Sequence, residues 1–353
     1  MRIRAFWAFS PAADRFLPLA FSRILDTLAP AERGGIGLIG AGGKTTLLHL
    51  LAEGLAQRSA PSTDFPRRVW AGTSTHLAWE AGFITDAQTA AVSLRGQKSP
   101  NFSAADPMKA AGGGAGDPTG ALSMAQPFPA PVYAAAPLFP EEGGKNGYPA
   151  IFPPAAQAAN SVRMLCPRKL RAFSPVESER LAALAAYSVI EADGSHRLPV
   201  KWPNETEPLL YPFLDTVLLV VGLSALGKPL FSVCQRVERA AAALHVDPAL
   251  PLTPLLLARI IERGYLWQKA EQLRSRRLFL LLNQADTPAH RQAAGRIARY
   301  FQDKENAKGN TKGQGKESTK GNAKGNTKEN AQDGENPSWA LSFSAIWASG
   351  YAR

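Results

Sequence analysis

Residues 37–46 read GLIGAGGKTT and contain the residue types that bind nucleotide phosphates. Glycines expose backbone N–H groups, the start of a following helix adds positive charge, the lysine reaches the β- and γ-phosphates, and the threonine hydroxyl binds Mg²⁺. The usual motif, G-x-x-x-x-G-K-[ST], has a glycine where Leu38 stands. The glycines four and one residues before Lys44 match the K-G-G-x-G-K-T variant, although Ile39 replaces its first lysine. The stretch is therefore interpreted as a phosphate-binding loop without a catalytic charge of its own.

The predicted nucleotide contacts lie in this loop and in the first turn of the next helix. The alternative interpretation is a tight turn that carries a solvated lysine. A dinucleotide fingerprint, G-x-G-x-x-G, does not fit because Thr45 occupies the third glycine position, so hydride transfer is not expected. The residues predicted to hold the nucleotide here are Gly40, Ala41, Gly42, Gly43, Lys44, Thr45 and Thr46, with Lys44 also catalytic and Thr45 also a metal ligand.

Two carboxylates, Glu191 and Asp193, follow an apolar run in the sequence VIEADGSHRLPVK. This is the position of a Walker-B acid, so the pair is predicted to be catalytic and to hold Mg²⁺, directly or through water. Asp193 could instead begin an ordinary Asp-Gly turn. His196, Arg197 and Lys201 add positive charge suited to a phosphate or an anionic substrate, and the first two are predicted nucleotide contacts.

Two further polar clusters follow apolar runs. Thr75 and His76 end the sequence TSTH, where they could contact phosphate, orient a nucleophile or bind metal; a helix N-cap is the alternative. Asn283 and Asp286 bound the sequence NQAD, which is similar to the guanine-reading N-K-x-D of GTPases, with Gln284 in place of lysine. A capping turn is the alternative there. We predict that these residues contact the nucleotide, because ligands of parallel α/β sheets bind beyond the carboxyl ends of the strands.

The elements that must position these residues are predicted from apolar runs and helical periodicity. A helix is expected over 17–29, another after the glycine loop, and two more around 177–186 and 253–276. Buried strands are expected at 36–39, 68–76, 186–192, the start of 215–230, 277–286 and 339–350. Strands that alternate with helices predict an α/β fold similar to P-loop NTPases, a mostly parallel sheet with helices on both faces.

The composition argues against a nucleic-acid-binding protein, a disulfide-stabilised scaffold and a membrane-spanning protein. The chain has 353 residues, a net charge of +11 and a hydrophobic fraction of 45%. It shows no basic cluster interleaved with aromatic residues and no nucleic-acid motif, so nucleic acid is not an expected partner. Cys166 and Cys234 form no C-x-x-C pair, which argues against a disulfide scaffold. No apolar run approaches the roughly 20 residues of a membrane span, so a cytoplasmic location without membrane contact is expected.

Two low-complexity insertions are predicted to interrupt the α/β domain. The first is rich in Ala, Gly and Pro, and the second repeats a Lys/Gly/Asn unit that contains nothing apolar and is expected to be disordered. The predicted divisions are 1–96 (N-terminal helix and phosphate loop), 97–160 (first insertion), 161–302 (remainder of the α/β domain), 303–337 (second insertion) and 338–353 (C-terminal strand).

Taken in order, the motifs IGAGGKTT, TSTH, VIEADGSHRLPVK, VVGLSALGKPL with QRVER, and LLNQAD resemble the YqeC family. The resemblance covers about 36–96 and 161–290. It implies an accessory protein of selenium-dependent molybdenum hydroxylases, which binds a nucleotide and helps to mature or insert the selenium-containing molybdenum cofactor. By motif, the loop residues would hold the nucleotide and Asp193 would serve Mg²⁺. The partners so implied are molybdenum hydroxylases or selenium-handling proteins.

Three hypotheses follow for the activity. The leading one is a Mg²⁺-dependent protein that binds ATP or GTP and hydrolyses it slowly. The second is a phosphotransferase or nucleotidyltransferase in which His196, Arg197 and Lys201 bind a small cofactor precursor as acceptor. The third is a delivery module whose affinity for its partner is switched by the nucleotide without appreciable turnover.

Overall fold

The computed structural model describes residues 5–58, 69–74, 76–78, 132–133, 136–138, 169–313 and 341–350. The first predicted insertion, at 97–160, lies outside the described residues except for two short strands. The second lies outside them from residue 314 to 337.

The described strands form one large sheet and two small ones. The large sheet has nine strands in the order β2-β1-β14-β13-β11-β3-β9-β4-β6, and all pairs are parallel except β1 with β2 and β1 with β14. The small sheets are β10-β12 and β5-β8-β7. In chain order the strands are β1 (Ala5–Ser10), β2 (Arg15–Leu19), β3 (Gly34–Gly40), β4 (Val69–Thr73), β5 (His76–Ala78), β6 (Val132–Tyr133), β7 (Ala136–Leu138), β8 (Lys169–Arg171), β9 (Tyr187–Glu191), β10 (Val200–Lys201), β11 (Thr216–Gly222), β12 (Cys234–Gln235), β13 (Arg277–Asn283) and β14 (Ala345–Gly350).

The described helices follow the strands as an α/β fold requires. A π-helix at Glu262–Trp267 and a 3₁₀ turn at Leu223–Ala225 join them. The α-helices are α1 (Phe21–Leu28), α2 (Lys44–Arg58), α3 (Pro175–Leu184), α4 (Leu230–Val233), α5 (Val237–Leu244), α6 (Pro254–Ile261), α7 (Ala270–Leu273) and α8 (Pro288–Gly313).

Both faces of the large sheet are covered by apolar side chains. Along β11, Val217, Leu219 and Val221 join one hydrophobic cluster, whereas Leu218 and Val220 join the other. This alternation follows from the two-residue period of a strand. Since a parallel strand covered on both sides must be apolar throughout, the continuous apolar run of β11 is explained. The predicted mostly parallel α/β sheet with helices on both faces is confirmed.

The prediction of a helix over residues 17–29 is wrong at its beginning. Residues 15–19 form β2, which pairs with β1 as an antiparallel hairpin at the edge of the sheet, and the helix α1 begins only at Phe21. Pro18 lacks a backbone N–H and is tolerated on an edge strand. The cross-strand pair Phe9–Phe16 has its rings 5.5 Å apart and stabilises the hairpin.

The helix α8 continues further than the sequence indicated. It extends to Gly313, so it includes the first residues of the segment predicted to be disordered. Lys304 is anchored there by an ion pair with the buried Glu262 of the π-helix, and Glu262 also accepts a hydrogen bond of 2.6 Å from Tyr300. These polar contacts fix the end of α8 to the core. Sequence periodicity, which detects only apolar positions, does not indicate them.

The sheet topology brings the predicted nucleotide-binding residues together at the carboxyl ends of the central strands. Strands β3, β9, β11 and β13 are parallel neighbours around the centre, so their carboxyl ends lie side by side. The chain leaves β3 toward β4 on one side and leaves β11 toward β13 on the other. Ligands bind at such a switch point in open α/β sheets.

Candidate functional site

The loop from Gly40 to Gly43 joins β3 to α2. Gly40, Gly42 and Gly43 have φ of +94°, +86° and +115°, in the region that side chains disfavour. A Cβ on Gly42 would lie 2.5 Å from the backbone nitrogen of Gly222 in β11, so the close approach of the two chains also requires glycine. The loop ends at the first residue of a 15-residue helix, and the N–H groups of the first helical turn, which have no acceptor within the helix, are therefore available to an anion.

Neighbouring strands brace this loop. The backbone N–H of Ala41 donates to the carbonyl of Val220 at 2.8 Å. The side-chain amide of Asn283 donates to the carbonyl of Gly42 at 2.7 Å, and Asn283 accepts in turn from the hydroxyl of Ser349 at 2.9 Å. The loop is thus held by the ends of β11, β13 and β14, which all lie on the same side of β3 in the sheet.

Lys44 is buried and lies against its own loop. Its side chain is 1% exposed, and its Nζ donates to the carbonyl of Gly40 at 2.6 Å. The same ammonium lies 3.2 Å from Oδ1 of Asp193 and 3.7 Å from Oε1 of Glu191. The structure therefore brings together the loop lysine and both predicted acids.

Glu191 faces the hydroxyl of Thr45. The Thr45 Oγ1 donates to Oε2 of Glu191 at 2.9 Å. The backbone carbonyl of Glu191 accepts from the Thr73 hydroxyl and from the Ser74 N–H, both at 3.0 Å, which fixes the end of β9 beside β4. Burial raises the pKa of Glu191, and the nearby Lys44 and the Thr45 hydrogen bond offset part of that rise.

Asp193 has a different environment. Its side chain is fully buried, and its Oδ2 accepts from the backbone N–H of Gly40 at 3.0 Å. Lys201 lies 3.0 Å from the same oxygen, and Lys44 lies 3.2 Å from the other. This carboxylate is thus enclosed by a backbone donor and two cations, whereas Glu191 bonds the threonine hydroxyl.

Lys201 does not occupy the position that the sequence suggested. It was expected to face a phosphate or an anionic substrate, but its side chain is fully buried because its ammonium pairs with Asp193 and, at 2.8 Å, with Oε2 of Glu207. Arg236 lies 2.9 Å from the same oxygen of Glu207. Sequence reasoning missed Glu207 and Arg236, although Arg236 lies within the QRVER segment on which the family resemblance rested.

His196 and Arg197 lie in the loop that follows Asp193. Both are exposed, and both have a positive φ, +49° and +63°. The loop then returns to the sheet, where the carbonyl of Pro199 accepts from the Gly222 N–H at 2.8 Å. Because Gly222 also contacts Gly42, this cationic loop adjoins the phosphate loop.

The remaining predicted residues have varied positions. Thr46 is exposed on α2, and Thr75 lies outside the described residues. His76 begins β5, in the separate three-stranded sheet. Asp286 is half-buried beside Gly350 at the end of β14. Gln284, between Asn283 and Asp286, has its Oε1 bonded by the Ser224 hydroxyl at 2.5 Å.

In the described residues, His, Cys, Asp and Glu nowhere cluster in threes that could hold a metal ion. Mg²⁺ does not require such a cage, since it is commonly held by one or two protein oxygens together with phosphates and water. The Thr45 hydroxyl and the Glu191 carboxylate form a pair of that kind.

Cys234 lies in β12, opposite Val200 of β10, and it is 3% exposed. Burial raises the pKa of its thiol to about 12, so at pH 8 only about one thiol in 10,000 is ionised. In a Cys166→Ser chain, we expect Cys234 to react with a disulfide reagent roughly 1,000 times more slowly when folded than in denaturant. The measurement is thiol titration at pH 8, and rapid labelling of the folded chain would contradict the closed packing of β12.

Comparison with known proteins adds one match. Residues 154–238, about a quarter of the chain, match the family model described as YqeC protein. These residues, called the YqeC segment below, are similar to the YqeC family. The resemblance predicted from the motifs is confirmed there, and the YqeC segment includes Glu191, Asp193, Lys201 and Arg236 but not the phosphate loop. Comparisons with curated proteins and with solved structures gave no match.

Among the residues that the structure describes, no helix combines the length and the apolar character needed to cross a membrane.

Proposed function

We propose that the chain is a Mg²⁺-dependent nucleotide-binding protein and a slow NTPase. The observation that carries the proposal is the convergence of Lys44, Thr45 and Glu191 at the end of a glycine loop in a parallel sheet. Loop N–H groups, a lysine, a hydroxyl and a strand-end acid are the parts that P-loop proteins use to hold the phosphates and their metal.

The residues have distinct roles in this proposal. Gly42, Gly43 and the start of α2 bind the phosphate oxygens, because the N–H groups of Gly40 and Ala41 are already bonded to Asp193 and Val220. Lys44 leaves the carbonyl of Gly40 to neutralise the β- and γ-phosphates. Thr45 and Glu191 would hold Mg²⁺, which supplies charge stabilisation to the transferring phosphoryl group. Asn283 keeps the loop in shape through the Gly42 carbonyl. ATP and GTP are both candidates, because the side chain of Gln284 bonds Ser224 and gives no indication of the base.

Of the two acids, Glu191 has the geometry that better suits the metal. It bonds the Thr45 hydroxyl, whereas the oxygens of Asp193 face the Gly40 N–H and two lysines. We therefore assign the metal-side role to Glu191, in place of the Asp193 expected from the motif, and give Asp193 the role of holding Lys44 in the nucleotide-free protein.

Glu191→Gln is expected to remove the Mg²⁺ dependence of nucleotide binding, while Asp193→Asn keeps it. We expect Mg²⁺ to tighten binding to the wild-type chain about tenfold, and the gain to vanish in Glu191→Gln because the amide carries no charge for the metal. Calorimetric titration of ATP, GTP and CTP with Mg²⁺ or EDTA measures both effects. Absence of binding by the wild-type chain would refute the proposed function; loss of the Mg²⁺ effect only in Asp193→Asn would restore Asp193 as the ligand.

The similarity of residues 154–238 to the YqeC family suggests where the nucleotide is used, in the maturation of selenium-dependent hydroxylases. We propose that nucleotide binding drives the maturation or insertion of their molybdenum cofactor, with the hydroxylase or a selenium-handling protein as partner. Pull-down of a hydroxylase by the wild-type chain, but not by Lys44→Ala, in the presence of Mg²⁺ and nucleotide would support this step.

A transfer reaction is the second candidate, and one observation favours it. The exposed, left-handed pair His196–Arg197 adjoins the phosphate loop, where it could bind an anionic acceptor. The acceptor site would not include Lys201, which is buried. Nucleotide labelled in its γ-phosphate distinguishes the two activities, since transfer labels the acceptor and hydrolysis releases labelled phosphate.

A further inference from the structure

Lys201 is a buried lysine, and it is not one of the proposed nucleotide contacts. Its Nζ lies 3.0 Å from Asp193 and 2.8 Å from Glu207, and it donates to the carbonyl of Gly194 at 2.5 Å. Its backbone is held as well, because β10 pairs in parallel with β12, where Lys201 lies opposite Gln235. A lysine is rarely buried unless its charge is paired, so its position calls for a physical reason.

Asp193 is shared between this lysine and the lysine of the loop. Lys201 lies on one carboxylate oxygen and Lys44 on the other, and Asp193 is 0% exposed. Lys44 must leave Asp193 when it turns to a phosphate. A buried carboxylate that loses its only cation is strongly destabilised, because little solvent is available to replace the lost charge. Lys44 could therefore turn only if a second cation stays on Asp193.

The two lysines differ in how firmly they are held. Lys201 has three acceptors, and one of them, Glu207, is itself fixed by Arg236 at 2.9 Å. Arg236 also donates to the carbonyl of Trp202, the residue that follows Lys201, at 3.3 Å. Lys44, at the start of α2, also has three partners, but only the carbonyl of Gly40, at 2.6 Å, lies within 3.0 Å, whereas Asp193 and Glu191 lie 3.2 Å and 3.7 Å away. The geometry thus provides one fixed cation and one that can turn.

We propose that Lys201 is a positioning residue of the nucleotide site: it keeps Asp193 paired so that Lys44 is released to the phosphates. The proposal rests on the proposed function. It makes Asp193 a resting place for Lys44 in the free protein, and Lys201 the residue that sets how strongly Lys44 is retained there. Because Lys201 pairs with Glu207 and Glu207 with Arg236, the position of Lys201 is also coupled to the start of α5.

The test is a double-substitution cycle on nucleotide affinity. Lys201→Met leaves Lys44 as the only cation within ion-pair distance of Asp193 in the described residues, so we expect the affinity for the triphosphate with Mg²⁺ to fall about tenfold. Asp193→Asn in the Lys201→Met chain removes the charge that retains Lys44, and the affinity is expected to return to within about threefold of wild type. If Lys201 only supported the fold, the second substitution would give no recovery.

The outcomes separate this inference from the proposed function. If the wild-type chain binds nucleotide and Lys201→Met binds it equally well, or if the double variant does not recover, the inference alone is wrong. If the wild-type chain binds none, both are wrong. Should Lys201→Met fail to fold, Asp193→Asn alone decides: release of Lys44 is expected to tighten binding about threefold, and weaker binding than wild type would overturn the inference.

Discussion

Lys44→Ala is expected to weaken the binding of a nucleoside triphosphate about 100-fold. Lys44 lies at the mouth of the phosphate loop, and in our proposal its ammonium moves from the Gly40 carbonyl to the β- and γ-phosphates. Hydrogen bonds to charged groups contribute about 1.5–3 kcal/mol each, and a loss of roughly 2.8 kcal/mol corresponds to a factor of 100 in affinity. Titration calorimetry with the triphosphate and with the nucleoside alone measures the effect, because only the triphosphate has phosphates for Lys44 to reach.

The matched control is Lys269→Ala. Lys269 is another buried lysine, 5% exposed, but its Nζ donates to the carbonyl of Glu205 and not to a residue of the phosphate loop. Its removal is expected to lower stability and to leave nucleotide affinity within about twofold of wild type. Equal losses of affinity in both variants would mean that Lys44 contributes to folding and not to phosphate binding.

Gly42→Ala is expected to destabilise the fold by about 3 kcal/mol and to abolish the site. An alanine Cβ at φ +86° would lie 2.5 Å and 2.6 Å from the nitrogen and Cα of Gly222, and 3.0 Å from the carbonyl of Pro199. All three contacts are backbone atoms, so no flexible side chain can move aside. Left-handed strain of about 1–2 kcal/mol and overpacking of about 1–3 kcal/mol therefore add. Chemical denaturation gives the stability, and nucleotide titration of the folded fraction gives the affinity.

Gly227→Ala controls for the strain alone. Gly227 has φ +79°, close to that of Gly42, but a Cβ there would meet nothing within 4 Å. We expect it to cost about 1 kcal/mol and to leave binding intact. If Gly42→Ala were as mild as Gly227→Ala, the close approach of the loop to β11 would be wrong.

The parallel sheet and the edge that carries the site could be predicted from the sequence, because each strand is an apolar run that ends in polar residues. The hairpin of β1 and β2 could not be predicted, since its strands are short and half-exposed and share their residue types with a helix. The predicted helix over 253–276 could not show the π-helix at Glu262–Trp267, because that interruption depends on packing and not on apolar periodicity.

The sequence identified the charged residues of the candidate site, but it did not indicate which carboxylate pairs with which lysine or hydroxyl. Glu191 and Asp193 are two residues apart, and the sequence does not distinguish their roles. In the structure, Glu191 bonds Thr45, whereas Asp193 is enclosed by two lysines. Glu207 follows Lys201 by six residues and Arg236 by 35, and no local pattern indicates that Lys201 is buried between Glu207 and Asp193. Such pairings are set by the folded backbone, which brings β9, β10 and β12 together.

The bracing of the phosphate loop by β14 bears on the order in which the protein matures during synthesis. Gly42 is held by Asn283, which is held by Ser349, about 300 residues after the loop. Domains fold as the ribosome releases them, so β3 and α2 emerge long before the residues that lock the loop between them. A nascent chain can therefore form the glycine turn early, but the hydrogen bonds that hold this turn in the folded protein can form only after β14 has been synthesised.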